Sequence, residues 1–322
     1  MLLPFADLLE QLDIALDQLD LNKPNYDRFA IILIDNVAEL LLREYVKKHD
    51  DMSQKDAANL KNFPDMVDFA SKNDHINEET KHSLKELHKF RNVTYHQGKK
   101  HENFFHSIAI FYFEITCDLL AKYSTQYWKS EKISDFPLRA LKYLDIKELN
   151  VTENFRTAPW NNSQFIQTSE KLRDVLVYST SRSLVKDLAK DMEKIIEEAG
   201  FYIDHIDEVI NDRDNSVKFA QYLNLDESER ENFKKETLST EIEDCDEWEW
   251  MCENYSFNEK KYPINKWKKR LRKLQSEKNE HKGLGKYCCF MRDTEKLRDD
   301  LEDAYEKCNG WLEMEAEILR GK

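Results

Sequence analysis

Apolar residues recur at three- and four-residue steps from the start of the chain. Phe5, Leu8, Leu9, Leu12, Leu16 and Leu19 form one stripe, which predicts an amphipathic helix. Residues 22–25, with Pro24, break it. A second helix is predicted over about 26–48. Phe29, Ile32, Leu33, Val37, Leu40 and Leu41 make it apolar over most of its circumference, so it is expected to be the central core helix. Residues 49–76 are polar and irregular, with room for a short helix near 63–70. A third helix begins near Asn77, where Glu78 and Glu79 suit the positive end of the dipole, and it should stop before Gly98. A fourth, from about 102 to 123, places Phe104, Ile108, Phe111, Ile115 and Leu119 on one side.

Periodicity weakens over 129–165, which contain Pro137 and Pro159 and read as a linker or irregular connection. A long helix is then predicted over about 169–198, capped by Gly200, and a last one over about 294–319. The expected architecture is all-α: a four-helix domain over 1–128, then a second helical domain over 166–322. Six Gly and six Pro in 322 residues are too few turn residues for a sheet-rich fold.

A formal net charge of −14 excludes a general nucleic-acid coat, because the long-range field repels phosphate. Contact with nucleic acid must be local. Two basic stretches are candidates. Residues 260–273 (KKYPINKWKKRLRK) hold eight bases and no acid, against twelve acids and three bases in 226–253. These are either mutually attracting solvated faces or a surface for nucleic acid or a partner, with Trp267 as a possible stacking residue. Residues 81–101 carry Lys81, Lys85, Lys89, Arg91, Lys99 and Lys100 against Glu86 alone.

The six cysteines include no C-x-x-C pair, and reduced cytosolic thiols are expected. The first basic residue is Lys23, so the N-terminus does not read as a signal peptide, and the run AIILIDNVAELLL is too short and too acidic to span a bilayer. A cytoplasmic location without membrane contact is expected. His101 and His106 resemble a metalloprotease box but stand at i, i+5. They diverge on a helix, and neither a metal nor a cofactor is predicted.

Within residues 81–101, Arg91-Asn92-Val93-Thr94-Tyr95-His96 is the stretch with chemistry. Arg91 shares a stripe with Leu84 and Leu87, where an unpaired charge is costly. An anion should meet it: an internal acid such as Glu39, or a substrate phosphate. Glu39 also stands i, i+4 from Arg43. An ideal helix puts His96 about 140° around from Arg91, with Asn92 between them. His suits proton transfer near neutrality, and Arg offers a fixed fork to phosphate oxygens.

The six residues resemble the signature of the HEPN superfamily: an Arg followed by a polar residue, then a His after four to six intervening positions. The resemblance covers roughly residues 1–128. It implies a metal-independent endoribonuclease in which Arg91, Asn92 and His96 are catalytic. It also implies a homodimer that joins two motifs through the third helix, with a toxin–antitoxin or antiviral defence role and a matching partner protein. Tyr95, Lys89, Lys99, Lys100 and His101 would line the RNA-binding cleft. The alternatives are a non-catalytic HEPN-like module that binds a nucleotide or protein within a larger complex, and a helical scaffold that docks through its charged segments.

Overall fold

The computed structural model describes residues 3–49, 62–96, 104–123, 130–131, 136–144, 155–156, 162–177, 183–212, 215–229, 231–232, 247–259 and 262–321. Within these ranges the backbone alone is described at 3, 93–96, 130–131, 155–156, 177, 247, 249–250 and 254. The fold is all-α; the described strands are a two-residue antiparallel pair, β1 (Ser130–Glu131) and β2 (Phe155–Arg156), with Ser130 opposite Arg156. Two compact units divide the chain. The first comprises Met1–Leu188 with Lys278–Gly285, the second Ala189–Glu277 with Lys286–Lys322.

The first unit is built from α1 (Leu3–Asp20), α2 (Pro24–Lys48), α3 (Phe63–Lys72), α4 (Glu78–His96), α5 (Phe105–Ala121), α6 (Leu138–Leu141) and α7 (Asn162–Val177). Local chemistry sets the starts. Pro24 opens the first turn of α2, and the Asn62 side chain accepts from the Asp65 amide to cap α3. The Asn77 carboxamide accepts from the Thr80 amide at 2.8 Å at the head of α4.

The central helix is α5, which packs against α1, α2, α4 and α7. Its burial runs around most of the circumference, taking in His106, Ser107, Tyr112, Phe113, Thr116, Cys117 and Leu120 as well as the predicted stripe, and leaves the strip of Ile110, Glu114 and Asp118 toward solvent. Each large side chain sealed there contributes about 1.5–3 kcal/mol. The α2 helix is less central than its composition suggests. Ile31, Ile34, Val37, Ala38, Leu41 and Leu42 are buried, but Phe29 is 48% exposed. Its burial arc admits two acids, Asp27 and Asp35, instead.

Within the 129–165 connection, the described residues 136–144 are fastened to the first helix. The Tyr143 hydroxyl and the Arg139 guanidinium both donate to buried Asp13, and Arg139 also reaches Asp17 at 2.5 Å. Helix α7, read from sequence as the start of a C-terminal domain, lies in the first unit. There Phe165 packs edge-on to Phe5 and Tyr123, and Arg173 donates to Asp118 and to the Glu114 carbonyl at 3.0 Å.

The remaining helices are α8 (Leu184–Ile210), α9 (Ser216–Leu223), α10 (Glu247–Asn254), α11 (Ile264–Gln275) and α12 (Glu280–Leu319). The single helix expected over 169–198 is therefore two, α7 and α8. Gly200 is no cap but an interior residue of α8, because Ile203 and Ile206 carry the buried stripe of Met192, Ile195, Ile196 and Ala199 onward. The last helix starts at Glu280, well before the expected residue 294. In the second unit the Tyr287 hydroxyl donates to Asp191 at 2.5 Å, the Asn224 carboxamide donates to the Asp300 carbonyl at 2.9 Å, and Gln221 exchanges two hydrogen bonds with the Glu259 backbone.

Candidate functional site

Arg91 lies in the last turns of α4. The rotation of this helix is fixed by Leu84 and Leu87, both fully buried, and by Ser83, whose hydroxyl bonds Nδ1 of His281 at 2.8 Å. That rotation turns His88 and Arg91, three residues apart, toward α2. There they meet Asp35, a carboxylate only 1% exposed.

Three groups converge on Asp35. The His88 imidazole donates from Nδ1 at 2.9 Å to one oxygen and lies 3.2 Å from the other. The Tyr112 hydroxyl, from α5, donates at 2.6 Å. The Arg91 Nε stands 3.6 Å from Oδ2. A buried carboxylate is tolerated only when its lone pairs are met in this way. Burial, then the adjacent Asp35 charge, pushes the Tyr112 phenol well above its usual range, so it remains a donor. His88 is also pinned from the side by Phe63, stacked at 4.3 Å and 10°.

The acid that meets Arg91 here is Asp35, one turn before the Glu39 suggested by the sequence; Glu39 accepts from Arg43 at 2.5 Å. The Arg91 side chain remains 39% exposed, so an anion can approach it from solvent while Asp35 holds its root. Its Nη1 donates to the Asn92 carboxamide oxygen at 3.0 Å. That bond ties the two adjacent residues together and leaves the nitrogen as the donor end of the Asn92 carboxamide. Lys89 bonds Glu86 at 2.9 Å on the solvent side of the helix.

His96 is the last residue of α4. Its side chain and that of Tyr95 lie outside the described residues, as do Lys99, Lys100 and His101. His106 is described, and it is buried with Nδ1 2.7 Å from Asp27. This is a structural pair inside the bundle rather than half of a metal box. Among the described residues, no three His, Cys, Asp or Glu side chains gather as metal ligands, and no helix is long and apolar enough to cross a membrane.

Two functional readings made from sequence change. Trp267 is 3% exposed and packs edge-on to Phe290 at 5.6 Å, so it anchors α11 and presents no face to a base. Asp35 and His88 belong to the site, although the sequence reading assigned them no role. Their signal was present: an acid inside an apolar helix must find partners, and His88 precedes Arg91 by three positions on one helix face.

Comparison of the chain with protein-family models, with curated proteins and with solved structures gives no match.

Proposed function

We propose that this chain is a metal-independent endoribonuclease of the HEPN type, with Arg91, Asn92 and His96 as its catalytic set. One observation carries the reading. A solvent-accessible guanidinium is anchored from behind by a buried carboxylate and tied to the adjacent Asn, five positions before a His on the same helix. Such anchoring preorganises a cation for an anion arriving from the other side.

In the proposed reaction, His96 removes the proton from the RNA 2′-hydroxyl, and that oxygen attacks the adjacent phosphorus. The bond to the 5′-oxygen breaks, and the leaving oxygen takes a proton from the imidazolium of the same residue or of a second copy. Arg91 stabilises the charge on the non-bridging oxygens. The products are a 2′,3′-cyclic phosphate and a 5′-hydroxyl. Two motifs joined by a homodimer through α4 would divide the acid and base roles. A cytoplasmic toxin or antiviral effector, restrained by an antitoxin or another defence partner, is the biology this activity fits.

The Asp35–Arg91 pair also favours a second reading, in which Arg91 only neutralises a buried acid and the bundle is a non-catalytic nucleotide- or protein-binding module. Incubation of labelled RNA with the protein in EDTA separates the two. Cleavage with cyclic-phosphate ends, lost in both Arg91→Ala and His96→Ala while the helical spectrum is retained, supports the nuclease. No cleavage, or cleavage unchanged in His96→Ala, rejects it.

A further inference from the structure

Helix α11 carries six basic residues and no acid in its twelve positions. Ile264, Trp267, Leu271 and Leu274 are buried and fix its rotation. At 100° per residue these four span an arc of about 80°, and Lys268, Arg272, Lys269 and Lys273 occupy a separate exposed arc of about 140°. The remaining two cations are matched: Lys266 stands 3.7 Å from Glu259 and Arg270 3.0 Å from Asp293. The nearby Glu277 is held by Lys286 at 2.6 Å. Among the described residues, no ion pair engages Lys268, Lys269, Arg272 or Lys273.

We infer that this face of α11 is a docking surface for the phosphate backbone of a nucleic acid. Four cationic heads project from about 7.5 Å of helix axis. A nucleic-acid duplex carries one charge per ~1.7 Å of its axis and offers several phosphates over that length. An extended acidic peptide shows same-side residues only every ~6.6 Å and offers about two carboxylates. Charge density therefore favours the polyphosphate. The contact reads no sequence, because lysine and arginine heads on an exposed helix meet backbone oxygens alone. It acts at short range, since the −14 charge of the chain opposes long-range attraction.

The surface does not depend on the nuclease reading, and the test keeps them apart by measuring binding to an RNA duplex on a His96→Ala background. At 50 mM salt this protein should bind a labelled 20-base-pair duplex, and the affinity should fall steeply with added salt. Replacing Lys268, Lys269, Arg272 and Lys273 together by Gln should weaken binding about tenfold or more and reduce the salt slope by about two or more. If the fourfold variant loses helicity, Lys268→Gln/Lys269→Gln is measured in its place and should show about half the slope change. Unchanged affinity in a folded variant overturns the inference, as does absence of binding by the parent protein at 50 mM salt. Displacement of the duplex by polyglutamate at equal charge concentration also overturns it, in favour of an acidic protein partner.

Discussion

The Tyr112 hydroxyl donates to a carboxylate oxygen of Asp35 at 2.6 Å, and both residues are almost wholly shielded from water. Asp35 therefore belongs to the framework of the first unit as well as to the candidate site. Tyr112→Phe removes one bond to a charged acceptor and should cost about 1.5–3 kcal/mol. Asp35→Ala leaves Tyr112 and His88 without that acceptor and Arg91 without its counterion. It should cost more, about 3–5 kcal/mol. Urea unfolding of the two variants beside the parent checks the order; an Asp35→Ala loss smaller than that of Tyr112→Phe contradicts it.

Arg91→Lys tests whether the guanidinium acts through shape or through charge. Lysine keeps the charge but has no fork and no Nε to hold against Asp35. In the nuclease reading, turnover should fall roughly 100-fold or more while duplex binding is unchanged, because the binding surface on α11 is not altered. Single-turnover cleavage and fluorescence anisotropy provide the two readouts.

His75 stacks on Tyr45 at 3.8 Å, and burial, helped by the Lys122 charge, depresses its pKa to about 4. In the unfolded chain it titrates near 6.5. Between these values the unfolded state binds the extra proton, so stability is fully present above about pH 6.5 and declines as pH falls toward 4. Because His75 is only partly buried and solvent screens its charge, the decline attributable to this group is on the order of 1 kcal/mol. His75→Phe retains a ring on Tyr45 and should flatten that part of the profile. Thermal midpoints at pH 7.5 and 5.0 give the comparison, and a parent-like slope in the variant would exclude His75 as its source.

Gly200 has helical neighbours on both sides, and an added Cβ would meet no atom within 4 Å. Gly200→Ala should stabilise the second unit by about 0.5–1 kcal/mol through the lost freedom of the unfolded chain. Calorimetry reads it as a rise in the unfolding temperature, and a fall would mean that the site is crowded.

The existence and type of most helices were legible because they rest on periodicity. Phe5 to Leu19, Leu84 with Leu87, and Ile108 to Leu119 all appear at helical spacing and are all buried. What the sequence obscured was competition between signals. Gly200 looked like a stop, but the apolar stripe that continues past it outweighs its weak propensity. The start of α8 after Ser183 was hidden because no Gly or Pro marks it. Arg91 and Asn92 were visible as candidates from residue type alone. Asp35 was not, because which buried acid an arginine meets is decided by the packing of α2 against α4, and Asp35 and Glu39 lie one turn apart on the same helix.

Phenols set on sequestered aspartates recur as Tyr143 with Asp13, Tyr112 with Asp35 and Tyr287 with Asp191. Each such couple works as a key. Turning the helix that carries the aspartate by a single residue swings that side chain through about 100° and strands a negative charge in hydrocarbon. Greasy contacts would forgive that slip; these couples do not, so they select one winding of the chain over its near neighbours.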